Sequence, residues 1–169
     1  MDIKRAYKFR FNPTPEQTDQ LARTFGCARF AYNHMLRLRT DAWFQRQERI
    51  GYYETSAALT QLKKDPGFAW LNEVSSVPVQ QALRHLQAAF GNFFAKRAKY
   101  PAFKRKDGPQ SAVYTASAFK WDGKALKLAI QYLVDARKAG QQAVAQSPGD
   151  TPPPPEADQI IILLTDGED

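Results

Sequence analysis

The chain changes character once, near Ala129, and that change limits what it can fold into more than any other feature. Residues 1–129 carry 22 Lys and Arg against 10 Asp and Glu, a net of +12, whereas residues 130–169 carry 2 against 7, a net of −5. Charge asymmetry of this size between two parts of one chain points to a nucleic-acid-binding body beside something different. We therefore expect two units, 1–129 and 130–169, the second interrupted by a proline-rich loop at 147–156 that holds five prolines.

Hydrophobic periodicity predicts an α+β body that is mainly helical. Ile3 to Phe11 reads as a strand, with Ile3, Tyr7, Phe9 and Phe11 on one face and Lys4, Lys8 and Arg10 on the other. Thr14 then caps a helix, with Pro15 at its first position and Gln17 placed for a capping box. Gly26 is expected to break this helix from a second one running from Cys27 to Arg49. Phe30, Ala31, Met35, Leu38 and Ala42 recur there at helical spacing, with Arg29, Arg37, Arg39, Arg46 and Arg49 around the rest of the surface. A shorter helix is expected from Ser56 to Lys64, then Phe68, Trp70 and Leu71 as a plug in the core. The next helix opens near Ser76, buries Val79, Leu83, Leu86, Ala89, Phe90 and Phe93, and ends near Ala98. Val113 to Phe119 reads as a strand, turning at Lys120 to Lys124 into a return strand that ends at Leu128. In the second unit, Ile130 to Ala145 reads as a helix and Ile160 to Leu164 as a buried strand.

Six basic residues and no acidic one lie between Lys96 and Lys106: Lys96, Arg97, Lys99, Lys104, Arg105 and Lys106. Pro101 forbids a continuous helix there, and Tyr100 and Phe103 sit among the cations. Lys and Arg neutralise phosphates and release counterions, and aromatic rings stack on unpaired bases. The alternative is a solvated basic surface with two core aromatics. Zinc is not expected, because Cys27, His34 and His85 give three ligands where a structural site takes four. The same Cys27 has no partner for an internal disulfide. The opening residues show no secretory leader, and no apolar run approaches the ~18 residues of a membrane span. We expect a cytoplasmic protein without cofactor or metal.

Residues 3–129 resemble the N-terminal part of the TnpB (OrfB) proteins encoded by insertion-sequence transposons. The likeness is carried by Lys4 to Phe11 with Pro13-Thr14-Pro15-Glu16-Gln17, by Phe25-Gly26-Cys27-Ala28-Arg29-Phe30-Ala31-Tyr32-Asn33, and by Trp70-Leu71. It continues through Pro78 to Leu83, Ala88, Phe90, Phe93 and Phe94, then Tyr100-Pro101, Phe103 to Lys106, and Phe119. The resemblance implies a protein of transposition-associated, RNA-guided DNA cleavage, with a helix-turn-helix segment. It implies an N-terminal strand, a helical recognition lobe and a partial β hairpin of an incomplete wedge barrel, followed here by a short αβ fragment. It implies guide-type RNA and/or DNA as partners, read largely through backbone and duplex shape. Lys8, Arg10, Arg37, Arg39, Lys96, Arg97, Lys99, Tyr100, Lys104, Arg105 and Lys106 are then the candidate nucleic-acid contacts.

Cleavage in that family needs three carboxylates around a metal pair, and the likeness ends near Ala129, before that nuclease domain. No catalytic residue is therefore assigned, and we expect a truncated, binding-only protein. The tail from Ile160 to Asp169 resembles the central strand of von Willebrand factor A domains, with Asp166 matching one metal ligand of that family. No Asp-x-Ser-x-Ser motif accompanies it, so Asp166 reads as a solvent-facing turn residue. The competing readings are a metal-ion-dependent protein-interaction fragment of that class, and a gene fusion without function.

Overall fold

A computed structural model of the chain describes residues 13–115, 118–121, 126–128 and 161–165. The predicted strand at Ile3 to Phe11 and the predicted helix at Ile130 to Ala145 lie outside these residues. So do Lys8, Arg10 and Asp166.

The first helix, α1, spans Pro15–Arg46 as one continuous element of 32 residues. The capping box forms as its sequence dictates: the Thr14 amide donates to Gln17 Oε1 at 2.9 Å, and the Gln17 amide donates to Thr14 Oγ1 at 3.3 Å. The expected break at Gly26 does not occur. Glycine costs a helix interior only about 1 kcal/mol, and a run of buried contacts on both sides of it outweighs that. The helix ends at Gln47, which takes φ 54, two residues before the expected end at Arg49. Gly51 starts α2, Tyr52–Leu62, where its amide donates to Glu54 Oε2 at 2.9 Å. That carboxylate in the first turn moves the helix start four residues ahead of Ser56.

A 3-10 turn over Pro66–Asn72 follows, capped by Asp65 Oδ1, which accepts from the Gly67 amide at 2.8 Å. Only Leu71 of the three predicted plugs is fully buried. Phe68 is half-buried and Trp70 stays 37% exposed. The tight turn presents one side chain inward and turns its neighbours outward. The helix α3, Ser76–Phe94, is capped by Ser75 and buries Val79, Ala82, Leu83, Leu86 and Phe90. Ala89 and Phe93 are only half-buried, and the helix stops four residues short of Ala98.

The core is the seam between α1 and α3, closed by α2 and the 3-10 turn. Met35, Leu36, Leu59, Leu71, Val79, Leu83 and Leu86 fill it. Beyond the loop that follows α3, the strand β1, Ser111–Thr115, packs on α3 and α1 through Ala112 and Tyr114, which meet Phe25 and Val77. The single predicted strand to Phe119 is split: β2, Phe119–Trp121, pairs antiparallel with β3, Leu126–Leu128, as the predicted hairpin. The last described strand, β4, Ile161–Thr165, runs parallel to β1 with Ser111 opposite Ile161 and Thr115 opposite Thr165. Its described partner thus belongs to the basic body. The architecture is α+β and mainly helical.

Candidate nucleic-acid interface

Arg29, Asn33 and Arg37 stand one helical turn apart on one face of α1. The basic loop crosses this face, and three features fix its course. At its start Ala95 caps α3 and Lys96 adopts φ 57, a left-handed conformation that turns the chain back. Further on, Asn33 grips Lys104 from both sides: Asn33 Nδ2 donates to the Lys104 carbonyl at 2.9 Å, and the Lys104 amide donates to Asn33 Oδ1 at 2.8 Å. Gln110 ties off the far end. Its Nε2 donates to the carbonyls of Arg105, Lys106 and Gly108, and its Oε1 accepts from Arg29 Nη1 at 2.7 Å.

Between loop and helix lies an open groove of about 460 Å³. Arg29, Arg37, Asn33 and Gly26 line it from α1, with Phe30 and His34 as its aromatic floor and Phe103 on the loop side. The floor is braced from below. Phe30 packs against His34 at 5.4 Å between ring centres, against Phe68 at 5.6 Å, and edge-on against Trp70 at 4.9 Å. Burial, aided by the charge of Arg37, holds the His34 imidazolium below its usual pKa. Among the described residues the groove is lined by two guanidiniums and by no carboxylate.

The other predicted contacts fall into distinct settings. Arg39 faces α3, with its guanidinium 3.9 Å above the Phe90 ring and Nη1 donating to Gln87 Oε1 at 2.8 Å. Tyr100 joins it there: its ring meets Phe90 and Phe93 edge-on, and its hydroxyl lies 2.8 Å from Thr40 Oγ1. The Lys104 ammonium is half-buried 4.7 Å over the Tyr32 ring, where burial depresses its pKa. Arg105 is paired with Asp107, Nη2 to Oδ2 at 2.6 Å. Lys96, Arg97, Lys99 and Lys106 are exposed and make no ion pair with a described residue. Arg37 thus belongs to the groove, while Arg39, two residues on, lies on the opposite side of the helix. The grouping of Arg29, Asn33 and Phe103 around Arg37 was not among the predicted contacts. Its signal was present in the four-residue spacing, but which face the basic loop crosses is set by the contact of Asn33 with Lys104, 71 positions away.

Among the described residues no three His, Cys, Asp or Glu side chains converge to hold a metal ion. Nor, among them, is any helix long and apolar enough to cross a membrane.

A long capped helix packed on a second, with a basic loop strapped across it, is the frame of a helical nucleic-acid-binding module. Comparison with known proteins places it. Residues 1–48 match the helix-turn-helix domain of the IS605 OrfB type. The chain is 59% identical over 128 residues to a Streptomyces pristinaespiralis protein named "Putative RNA-guided DNA endonuclease", covering 75% of this chain and 32% of that one. It is 32% identical over 102 residues to InsQ of Escherichia coli K12, named in the same terms, covering 60% and 25%. With virulence protein VsdF of Salmonella dublin it shares 34% identity over 113 residues, covering 62% of this chain and 95% of VsdF. The chain belongs to the OrfB family of insertion-sequence proteins that these relatives represent. It spans about a third of the Streptomyces relative and a quarter of InsQ. The von Willebrand resemblance of residues 130–169 gains no support from these matches.

Proposed function

We propose that this chain binds nucleic acid by its phosphate backbone, in an RNA-guided, transposition-associated DNA-cleaving system of the kind its relatives are named for, and that it binds without cutting. The observation that carries this reading is the groove between α1 and the basic loop, walled by Arg29 and Arg37, faced by Phe103 and, among the described residues, free of acid. Lys96, Arg97, Lys99 and Lys106 extend the cationic surface from the same loop, and Lys8 and Arg10 are further candidates from the sequence. Guide-type RNA is the partner we favour, with target DNA the other. The division of the chain near Ala129 is part of the same proposal.

Fluorescence anisotropy of the chain with labelled structured RNA and duplex DNA tests it. Binding should weaken linearly in log–log terms as salt rises from ~50 to ~200 mM, with a slope set by the number of phosphates neutralised. Absence of binding to either at low salt would end the reading. Cleavage of either in magnesium would end the claim that the chain does not cut.

A further inference from the structure

Phe103 is 54% exposed, yet the loop holding it is fixed at the adjacent residue by the two bonds between Asn33 and Lys104. Three positions earlier Tyr100 is anchored on Phe90, Phe93 and Thr40. Among the described residues Phe103 makes no ring contact. It is therefore an aromatic face left open to solvent on a loop anchored on both sides of it. It borders a groove whose opposite wall presents two guanidiniums. Arg29 and Arg37 are eight residues apart, about 12 Å along the helix axis. That is the reach of a short stretch of one strand, at about 3.4 Å per nucleotide. Arg29 commits one nitrogen to Gln110, leaving others of its five donors, and Arg37 makes no hydrogen bond or ion pair with a described residue.

We infer that this groove seats a short single strand, with one unpaired base stacked on Phe103 and phosphates about three nucleotides apart on Arg29 and Arg37. The inference rests on the nucleic-acid reading above and makes it specific. A paired base keeps its faces covered by its neighbours in the helix, whereas an unpaired base offers a face to a protein ring. The charge of the groove suits a polyanion such as a phosphate backbone and rejects a basic peptide.

Anisotropy of the full chain with an unstructured oligo-uridine strand and with a blunt duplex tests this. Phe103→Ala should weaken single-strand binding about ten-fold, the loss expected for one stacked base, without changing the salt slope. Phe103→Leu, which keeps apolar contact but has no ring, should be as weak as Ala, and Phe103→Tyr should bind like the parent. Arg37→Gln should instead lower the single-strand slope by about 0.7. Single-strand binding that survives Phe103→Ala or Phe103→Leu at parental strength overturns the inference while leaving backbone binding intact. Equal loss on the duplex overturns it too. A parent chain that binds neither probe at low salt removes both readings.

Discussion

The side chain of Asn33 and the backbone of Lys104 exchange two hydrogen bonds, at 2.9 and 2.8 Å, across 71 positions of sequence. The carboxamide behaves as a strand edge would, offering one donor and one acceptor to a passing chain that has no sheet to join. Asn33→Ala deletes both bonds. At about 1 kcal/mol each, unfolding free energy in urea should fall by about 2 kcal/mol. Trypsin should cut first among residues 96–106, with α1 and α3 still intact. Asn33→Asp keeps the acceptor but loses the donor and should fall between the two. An unchanged urea midpoint for Asn33→Ala would show that the clamp contributes nothing.

Gly26 lies inside the continuous helix, and a Cβ built there meets no atom within 4 Å. Gly26→Ala should therefore stabilise the chain by about 0.5–1 kcal/mol, through the lower conformational freedom of alanine in the unfolded state. A raised midpoint in thermal unfolding followed at 222 nm is the expected result. A lowered one would mean that α1 is interrupted at this position.

Cys27 is buried in the α1 seam, and burial, with a further push from Glu73, raises its thiol pKa to about 11. A thiol so placed is almost wholly protonated at pH 8 and is a poor nucleophile. Ellman's reagent should leave it unreacted in the native chain for as long as the core stays closed and titrate one thiol per chain in denaturant. Rapid labelling without denaturant would contradict its place in the buried core cluster.

Local signals carried much of this fold and long-range ones little of it. The Thr14 capping box, the buried stripe of α3 and the hairpin ending at Leu128 were legible because each is set by residues a few positions apart. The continuity of α1 through Gly26 was not, because the local penalty of glycine is visible in sequence and the tertiary contacts that outweigh it are not. Phe68, Trp70 and Leu71 looked alike as apolar residues, yet only the turn geometry decides that Leu71 goes in. The site divides in the same way. The basic loop could be read from its composition. That Arg37 faces a groove while Arg39 lies on Phe90, and that Arg105 is neutralised by Asp107, depends on where the loop crosses the helix.

His34 makes stability depend on pH in a defined direction. Its pKa in the folded chain lies below the ordinary 6.5, first because it is partly buried against Phe30 and Phe68, and second because Arg37 repels its protonated form. Below pH 6.5 the unfolded chain therefore binds more protons at this residue than the folded one. Its contribution is fully present above pH 6.5 and is lost as pH falls toward the lower folded value. Urea midpoints measured at pH 7.5, 6.5 and 5.5 should fall over the lower interval in the parent chain. They should fall less in His34→Gln, which has no proton to gain, and less in Arg37→Gln, where removing the repelling charge brings the folded pKa back toward 6.5. A His34→Gln chain that loses as much stability as its parent over that interval would place the acid sensitivity elsewhere.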